Sequence, residues 1–169
     1  MSAQLIVRTG LGLVVLLAGT DVAAQTRKDV SVGYGFIEQE GDFEAQPHFP
    51  LGMYVSYAEG GVLKGVGDVS FHTTGRDGRD FLIMAQTGVR LGPQTRRVRP
   101  FVQALFGLAV YGGGASWTPQ FGGGIDIPER ADGSGHALRL GLDMPIFLVG
   151  ANPKFIRATV GVVFSQLRR

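Results

Sequence analysis

Ser70 and His72 are the residues of this 169-residue sequence whose types and spacing could perform nucleophilic chemistry. A histidine that accepts the proton of a serine hydroxyl turns that hydroxyl into a nucleophile. Two residues apart on a strand, they would share one face, with their Cβ atoms separated by roughly 6.5–7 Å. That separation is awkward for a direct hydrogen bond, and the carboxylates that follow, Asp77 and Asp80, belong to the adjoining loop. We therefore predict no catalytic residue and keep the Ser70–His72 pair as an alternative.

The other residue types give no signature of a metal, a cofactor or a nucleic acid. His48 and His136 have no partner at metal-ligand spacing, and the sequence contains no cysteine. The glycine triplet within residues 121–124 is not followed by Lys-Ser/Thr, which a phosphate-binding loop requires. The formal net charge is +2, without the clustered basic face of a nucleic-acid binder. We predict no metal site, no cofactor and no nucleic-acid partner.

Three aspartates and three arginines form a balanced set with a structural pattern. They lie on one side of segments in which apolar residues occupy every second position. Buried charges are tolerated only when they are paired, and hairpins would bring Asp143 near Arg157 and Asp126 near Arg139 as diagonal neighbours. We expect structural ion pairs rather than exposed pairs without a role. The set is Asp68, Arg90, Asp126, Arg139, Asp143 and Arg157.

The elements that must position these charges are eight segments of roughly ten residues with period-two alternation, which is typical of strands. No amphipathic helix of useful length interrupts them. The pattern predicts an all-β fold, an eight-stranded antiparallel up-and-down barrel. The predicted strands are 30–38, 50–57, 62–73, 80–91, 100–113, 118–127, 136–149 and 154–165.

The composition of the less apolar face decides which side of such a barrel meets water. A soluble surface would be rich in Lys and Glu, whereas this face is rich in glycine and nearly free of lysine. Small side chains suit the narrow lumen of eight strands, which is too tight for a pore. We predict a transmembrane barrel whose apolar face contacts lipid, with aromatic residues such as Phe147 and Phe155 in girdles at the strand ends. A soluble periplasmic barrel that binds an apolar ligand inside is the alternative.

The first 24 residues have the features of a cleaved signal peptide. Arg8 precedes the apolar stretch LGLVVLLA (residues 11–18), and Val22-Ala23-Ala24 offers small residues to signal peptidase. Eight apolar residues fall short of the ~20 that a membrane-anchoring helix needs. The predicted domains are a signal peptide, 1–24, and an outer-membrane barrel, 25–169.

Four segments resemble strand cores of small bacterial outer-membrane barrels. They are GVGDVSFH (65–72), RPFVQALFGLAV (99–110), FGGGIDI (121–127) and RATVGVVF (157–164). The chain is similar, over residues 30–164, to the OmpA-type transmembrane barrel superfamily, a porin-like group, without its periplasmic peptidoglycan-binding domain. Such barrels typically end on an aromatic residue, whereas five residues follow Phe164 here. Either this tail is tolerated or it weakens the insertion signal.

The resemblance implies residence in the bacterial outer membrane, with outer-membrane lipid and the barrel-assembly machinery as partners. It implies a structural or surface-interaction role without catalysis, with any specific activity in the outer loops, above all the acidic loop 39–49. Because some outer-membrane barrels modify lipids, a lipid-modifying enzyme that uses Ser70 and His72 is the enzymatic alternative.

Overall fold

A computed structural model describes residues 26–39, 51–73, 81–93, 97–112, 114–130, 135–148 and 155–168. These residues form a closed barrel in which eight strands follow one another in chain order and every neighbouring pair is antiparallel. The strands are β1 (Thr26–Gln39), β2 (Leu51–Gly60), β3 (Leu63–Thr73), β4 (Phe81–Leu91), β5 (Arg99–Tyr111), β6 (Gly114–Pro128), β7 (Gly135–Pro145) and β8 (Phe155–Arg168). The predicted all-β, eight-stranded up-and-down barrel is confirmed. The predicted signal peptide, 1–24, lies outside the described residues, and none of those described forms a helix long and apolar enough to span a membrane.

The strand bounds differ from the prediction mainly at polar ends. β1 begins at Thr26 and β8 runs to Arg168, and these two residues are paired with each other. Phe164 is therefore not the last strand residue, and four of the five residues after it belong to β8. Polar residues at a strand end carry no apolar alternation, so the sequence pattern does not detect them.

The register of the eight pairs fixes the geometry of the barrel. Pairing leads from Arg27 in β1 once around the barrel to Arg157 in β8 and returns to β1 at Ile37. The path returns to β1 ten residues after the residue from which it started. This shift in register around the closed sheet is the stagger of the barrel. With a rise of ~3.3 Å per residue and strands ~4.8 Å apart, this stagger tilts the strands by about 40°. The Arg27 end, where β1 begins and β8 ends, is called here the terminal mouth, and the opposite end the loop mouth.

Alternation along each strand separates an apolar exterior from a mixed interior. In β2, Met53 and Val55 are exposed, whereas Tyr54 and Ser56 are buried. The interior has an apolar cluster near the loop mouth, in which Phe147 packs edge-on against Phe155. The other buried members of that cluster are Ile37, Leu82, Met84 and Ala109. Phe147 is thus inside the barrel, and its expected place in an aromatic girdle is wrong.

Glycines make room in the lumen for the one tyrosine at its centre. Gly33 and Gly161 face each other across β1 and β8, and the ring of Tyr54 lies over them. A Cβ on Gly161 would lie 2.5 Å from the Tyr54 hydroxyl and 2.5 Å from the carbonyl oxygen of Val32. Since the second contact is with backbone, a side-chain rotation cannot relieve it.

Gly161→Ala is expected to lower the free energy of unfolding by about 1–3 kcal/mol, the usual cost of overpacking. Gly65→Ala is the matched control, because a Cβ there meets nothing within 4 Å. Its expected effect is a gain of about 0.4–1 kcal/mol from the restricted unfolded chain. Urea unfolding in lipid vesicles, followed by the fluorescence of the single tryptophan, measures both. Equal stabilities for the two variants would contradict this account of the lumen.

Candidate functional site: the charged lumen

Arg157 is the central cation of the lumen and is fully enclosed. Its Nη2 lies 3.2 Å from Oδ2 of Asp143, the residue directly opposite on β7. Its Nη1 lies 2.9 Å from Oδ1 of Asp68, which reaches it across the lumen from β3. The guanidinium therefore connects β3, β7 and β8 through two buried carboxylates.

Arg139 and Asp126 form a second ion pair nearer the terminal mouth. Nε and Nη2 of Arg139 donate to the two carboxylate oxygens of Asp126 at 2.7 and 2.8 Å. The two residues are directly opposite on β7 and β6. The sequence predicted that Asp126 and Arg139, and likewise Asp143 and Arg157, would be diagonal neighbours. That prediction is wrong, because the register of each hairpin places the two residues of the pair directly opposite each other. Arg139 also donates to Ser31 Oγ at 2.8 Å, which ties the pair to β1.

Arg90 is held by an amide instead of a carboxylate. Its Nε and Nη2 donate to Gln103 Oε1 at 3.0 and 2.8 Å, and its guanidinium lies 4.6 Å from the centre of the Phe101 ring. The amide nitrogen of the same side chain, Gln103 Nε2, donates to Asp143 Oδ1 at 2.8 Å. Gln103 therefore links Arg90 to the Asp143–Arg157 pair. Its parity places it in the lumen, but nothing in the sequence indicates which charges it joins.

A third charged cluster lies at the terminal mouth and has no counterpart in the sequence prediction. Asp29 accepts from Arg27 Nε at 2.8 Å, from Ser165 Oγ at 2.7 Å and from Lys64. Arg27 and Asp29 precede the predicted start of the first strand at residue 30, which is why the pattern did not place them in the lumen. The alternation of Arg27 and Asp29 with Ser31 was the signal that could have found them.

Ser70 and His72 are both buried in the lumen but are not hydrogen-bonded to each other. The Ser70 hydroxyl accepts from Arg157 Nη1 at 3.4 Å. Neither ring nitrogen of His72 has a hydrogen-bond partner within the described part of the chain. Asp77, Asp80 and His48 lie outside the described residues, while His136 is exposed and faces Glu129 with 3.6 Å between Nδ1 and Oε2. Within the described ranges, no group of three or more His, Asp or Glu side chains could hold a metal ion.

Solved structures of bacterial proteins share this fold. Neisserial surface protein A matches with a TM-score of 0.62 at 13% identity, covering 82% of this chain and 96% of that one. Ail, the attachment invasion locus protein of Yersinia pestis, matches with a TM-score of 0.53 at 10% identity, covering 85% and 99%. Its backbone structure in a phospholipid bilayer nanodisc gives 0.54 at 10% identity, covering 83% and 99%. The chain has the fold of a small outer-membrane barrel. No protein-family model matches the sequence of this barrel, and no curated protein does.

Removing Arg157 is expected to lower the free energy of unfolding far more than removing a partly exposed cation. Arg157→Met leaves Asp68 and Asp143 buried without their counter-charge, and the loss of a buried partner costs about 3–5 kcal/mol of unfolding free energy. Lys28→Met is the control, because the Lys28–Glu59 pair, with 3.3 Å between Nζ and Oε1, is partly exposed. Such pairs are worth about 0–1 kcal/mol.

The triple variant Asp68→Leu/Asp143→Leu/Arg157→Met completes this test in the same unfolding assay. It removes all three charges together and is expected to be more stable than Arg157→Met alone, because no unpaired charge remains. A triple variant less stable than the single one would show that the ion pairs themselves, rather than the avoidance of unpaired charge, stabilise the lumen.

Proposed function

We propose that this chain is an integral protein of the bacterial outer membrane, with a structural or surface-interaction role and no catalytic activity. The observation that carries the proposal is the inversion of polarity: large apolar side chains are exposed on every strand, while the charged side chains in the middle of the strands are buried in the lumen. One exposed example from each strand in order is Phe36, Met53, Phe71, Val89, Phe106, Phe121, Leu142 and Phe164.

The dimensions of this apolar belt support a membrane as its surroundings. An 11-residue strand such as β3, tilted by about 40°, spans roughly 28 Å. The apolar band of outer-membrane barrels is about 25 Å tall. An apolar surface that encircles a barrel is also far larger than the patches that soluble monomers expose.

The interior argues against the soluble alternative. A soluble barrel that carries an apolar ligand would direct apolar side chains inward, whereas the middle of this lumen holds Arg157, Asp68 and Asp143. An apolar ligand there would have to displace paired charges without offering them a partner. The geometry therefore favours a lipid exterior over an internal ligand.

Several observations favour a non-enzymatic role at the surface. Ser70 and His72 are enclosed in the lumen, directly opposite Met84 and Leu82 of the apolar cluster and away from any lipid that the outer wall contacts. Two proteins of the same fold are, by their names, a surface protein and an attachment protein. We extend a surface role to this chain by analogy of fold and assign it to the outer loops. Most of the predicted acidic loop 39–49 lies outside the described residues. The remaining proposed partners are outer-membrane lipid and, during insertion, the barrel-assembly machinery.

A charge in the middle of the belt tests the membrane proposal. Leu140 is the sixth of the eleven residues of β7 and faces outward. Leu140→Arg is expected to lower the unfolding free energy in lipid vesicles by about 2–4 kcal/mol, the cost of arginine at the bilayer midplane. The wild-type protein should stay with carbonate-washed membranes and migrate differently in detergent gels before and after boiling.

Arg130→Glu is the control for this substitution, because Arg130 is exposed in the turn after β6. It should leave stability, carbonate resistance and the heat-dependent shift unchanged. Release of the wild-type protein by carbonate, with a Leu140→Arg variant as stable as the parent, would contradict membrane insertion and favour the soluble barrel.

A comparison of membrane lipids tests the absence of catalysis. Cells that express the wild-type protein, the Ser70→Ala variant or an empty vector are expected to have the same lipid masses, because Ser70 and His72 form no nucleophile–base pair. Mass spectrometry of extracted lipids measures this, with heat-dependent migration as evidence that each barrel is folded. A lipid change produced by the wild type and lost in folded Ser70→Ala would establish the enzymatic alternative.

A further inference from the structure

An apolar groove crosses the outer wall of the barrel. Its volume is about 680 Å³, within the range of ~300–1,000 Å³ that is typical of ligand sites. The rim nearer the terminal mouth is a row of outward residues that are paired with one another from strand to strand. This row is Leu138, Val162, Val32, Val55 and Val69.

The opposite rim is the next outward row toward the loop mouth, which runs from Val160 on β8 through Tyr34 to Ile83 on β4. The two rows are two residues apart along each strand, or roughly 6.6 Å. Between them lie inward-facing residues, including the paired glycines Gly33 and Gly161, so backbone forms the floor. The groove reaches from β7 to β4 across six strands, and a spacing of ~4.8 Å between strands gives it a length of roughly 24 Å.

The shape of the groove favours a hydrocarbon chain as its occupant. The groove follows the curved wall over most of the barrel, whereas a second barrel is itself convex and would touch only part of it. A flexible acyl chain bends with the wall and stays in contact along the whole length. Packing between two rims and a floor gives each methylene more van der Waals contacts than a smooth wall would.

The two rims differ in height, which indicates the side from which a chain enters. The rim nearer the terminal mouth consists mostly of valines, which are short. The opposite rim includes the longer side chains of Tyr34, Met53 and Phe71. The groove is therefore more open toward the terminal mouth.

A pair of opposite charges lies on that open side. Lys28 is four residues from Val32 on β1, Glu59 is four residues from Val55 on β2, and all four share the outer face. Four residues span roughly 13 Å along a strand. The Lys28 ammonium lies 3.3 Å from the Glu59 carboxylate, and both side chains are partly exposed. A zwitterionic head group offers a phosphate to Lys28 and an ammonium to Glu59, and both contacts are charge-assisted hydrogen bonds.

We propose that the groove binds one acyl chain of phosphatidylethanolamine, a zwitterionic phospholipid, whose head group lies at the Lys28–Glu59 pair. From there the chain passes Val30 and crosses the low rim at Val32 and Val55. This inference rests on the proposed membrane role and names a lipid partner for it.

The test is native mass spectrometry of the folded full-length barrel in an amine-oxide detergent, titrated with dioleoyl phosphatidylethanolamine. We expect saturable binding of one lipid per barrel. In Val55→Trp an indole blocks the rim of the groove, and the dissociation constant should rise at least tenfold. Val102→Trp is the matched control, because Val102 is exposed on β5 outside the groove, and it should bind like the wild type. Dioleoyl phosphatidylglycerol, which has no ammonium group, should bind at least threefold more weakly.

The outcomes of this titration separate the lipid site from the membrane role. Should Val55→Trp lack the heat-dependent migration of a folded barrel, Val69→Trp on the same rim replaces it. The proposal is overturned if the lipid binds without saturation, if the groove and control variants weaken binding equally, or if phosphatidylglycerol binds as tightly. A dimer that Val55→Trp dissociates would also overturn it, by assigning the groove to a second copy of the chain. Carbonate washing measures membrane residence separately, so a barrel that resists carbonate but binds no lipid saturably contradicts this site alone.

Discussion

The contact of Arg157 with Asp68 and Asp143 is the interaction on which the rest of the barrel depends. It joins β3, β7 and β8 through the lumen, where all three side chains are buried. Two carboxylates and a guanidinium without exposure are tolerable only together, because each one alone would be a desolvated charge. Any register that moved one of these residues by a single position would turn it toward the exterior. The ion pairs therefore specify the register of the hairpins as well as filling the lumen.

The small residues of the inner face follow from the same constraint. A stagger of ten residues over eight strands leaves a lumen just wide enough for side chains. Arginines and Tyr54 fit into that space only because glycines such as Gly33 and Gly161 have no side chain to occupy it. With the charges taken inside, the exterior is left to apolar residues. The apolar belt and the paired charges are thus two consequences of one alternation.

Much of this fold could be predicted from the alternation of residue types, because period two assigns every residue to a face. The inward parity of Asp126 and Arg139, and their proximity in one hairpin, follow from that alternation and from the short connection between β6 and β7. The contact of Asp68 with Arg157 does not, because it crosses the lumen and depends on the stagger, which no local pattern encodes. The terminal cluster of Arg27, Asp29 and Lys64 was missed for a different reason: polar strand ends lack the apolar signal that marks a strand. Phe147 is a different case: it keeps the inward parity of Arg139 and Asp143, because Ile146 and Leu148 continue to hydrogen-bond to β6, so the alternation itself could have placed it inside.

The two mouths of the barrel differ, and the difference determines where an activity can reside. Apolar side chains including Phe147 and Met84 pack together in the lumen near the loop mouth. At the terminal mouth the described lining of the lumen is charged, with Arg27, Arg90 and Asp126 around a small pocket. The described part of the lumen is therefore polar toward the terminal mouth and apolar toward the loop mouth. A barrel built in this way separates its two ends: the terminal end holds buried charges on the strands, and the loop end carries connections whose sequences the barrel does not constrain.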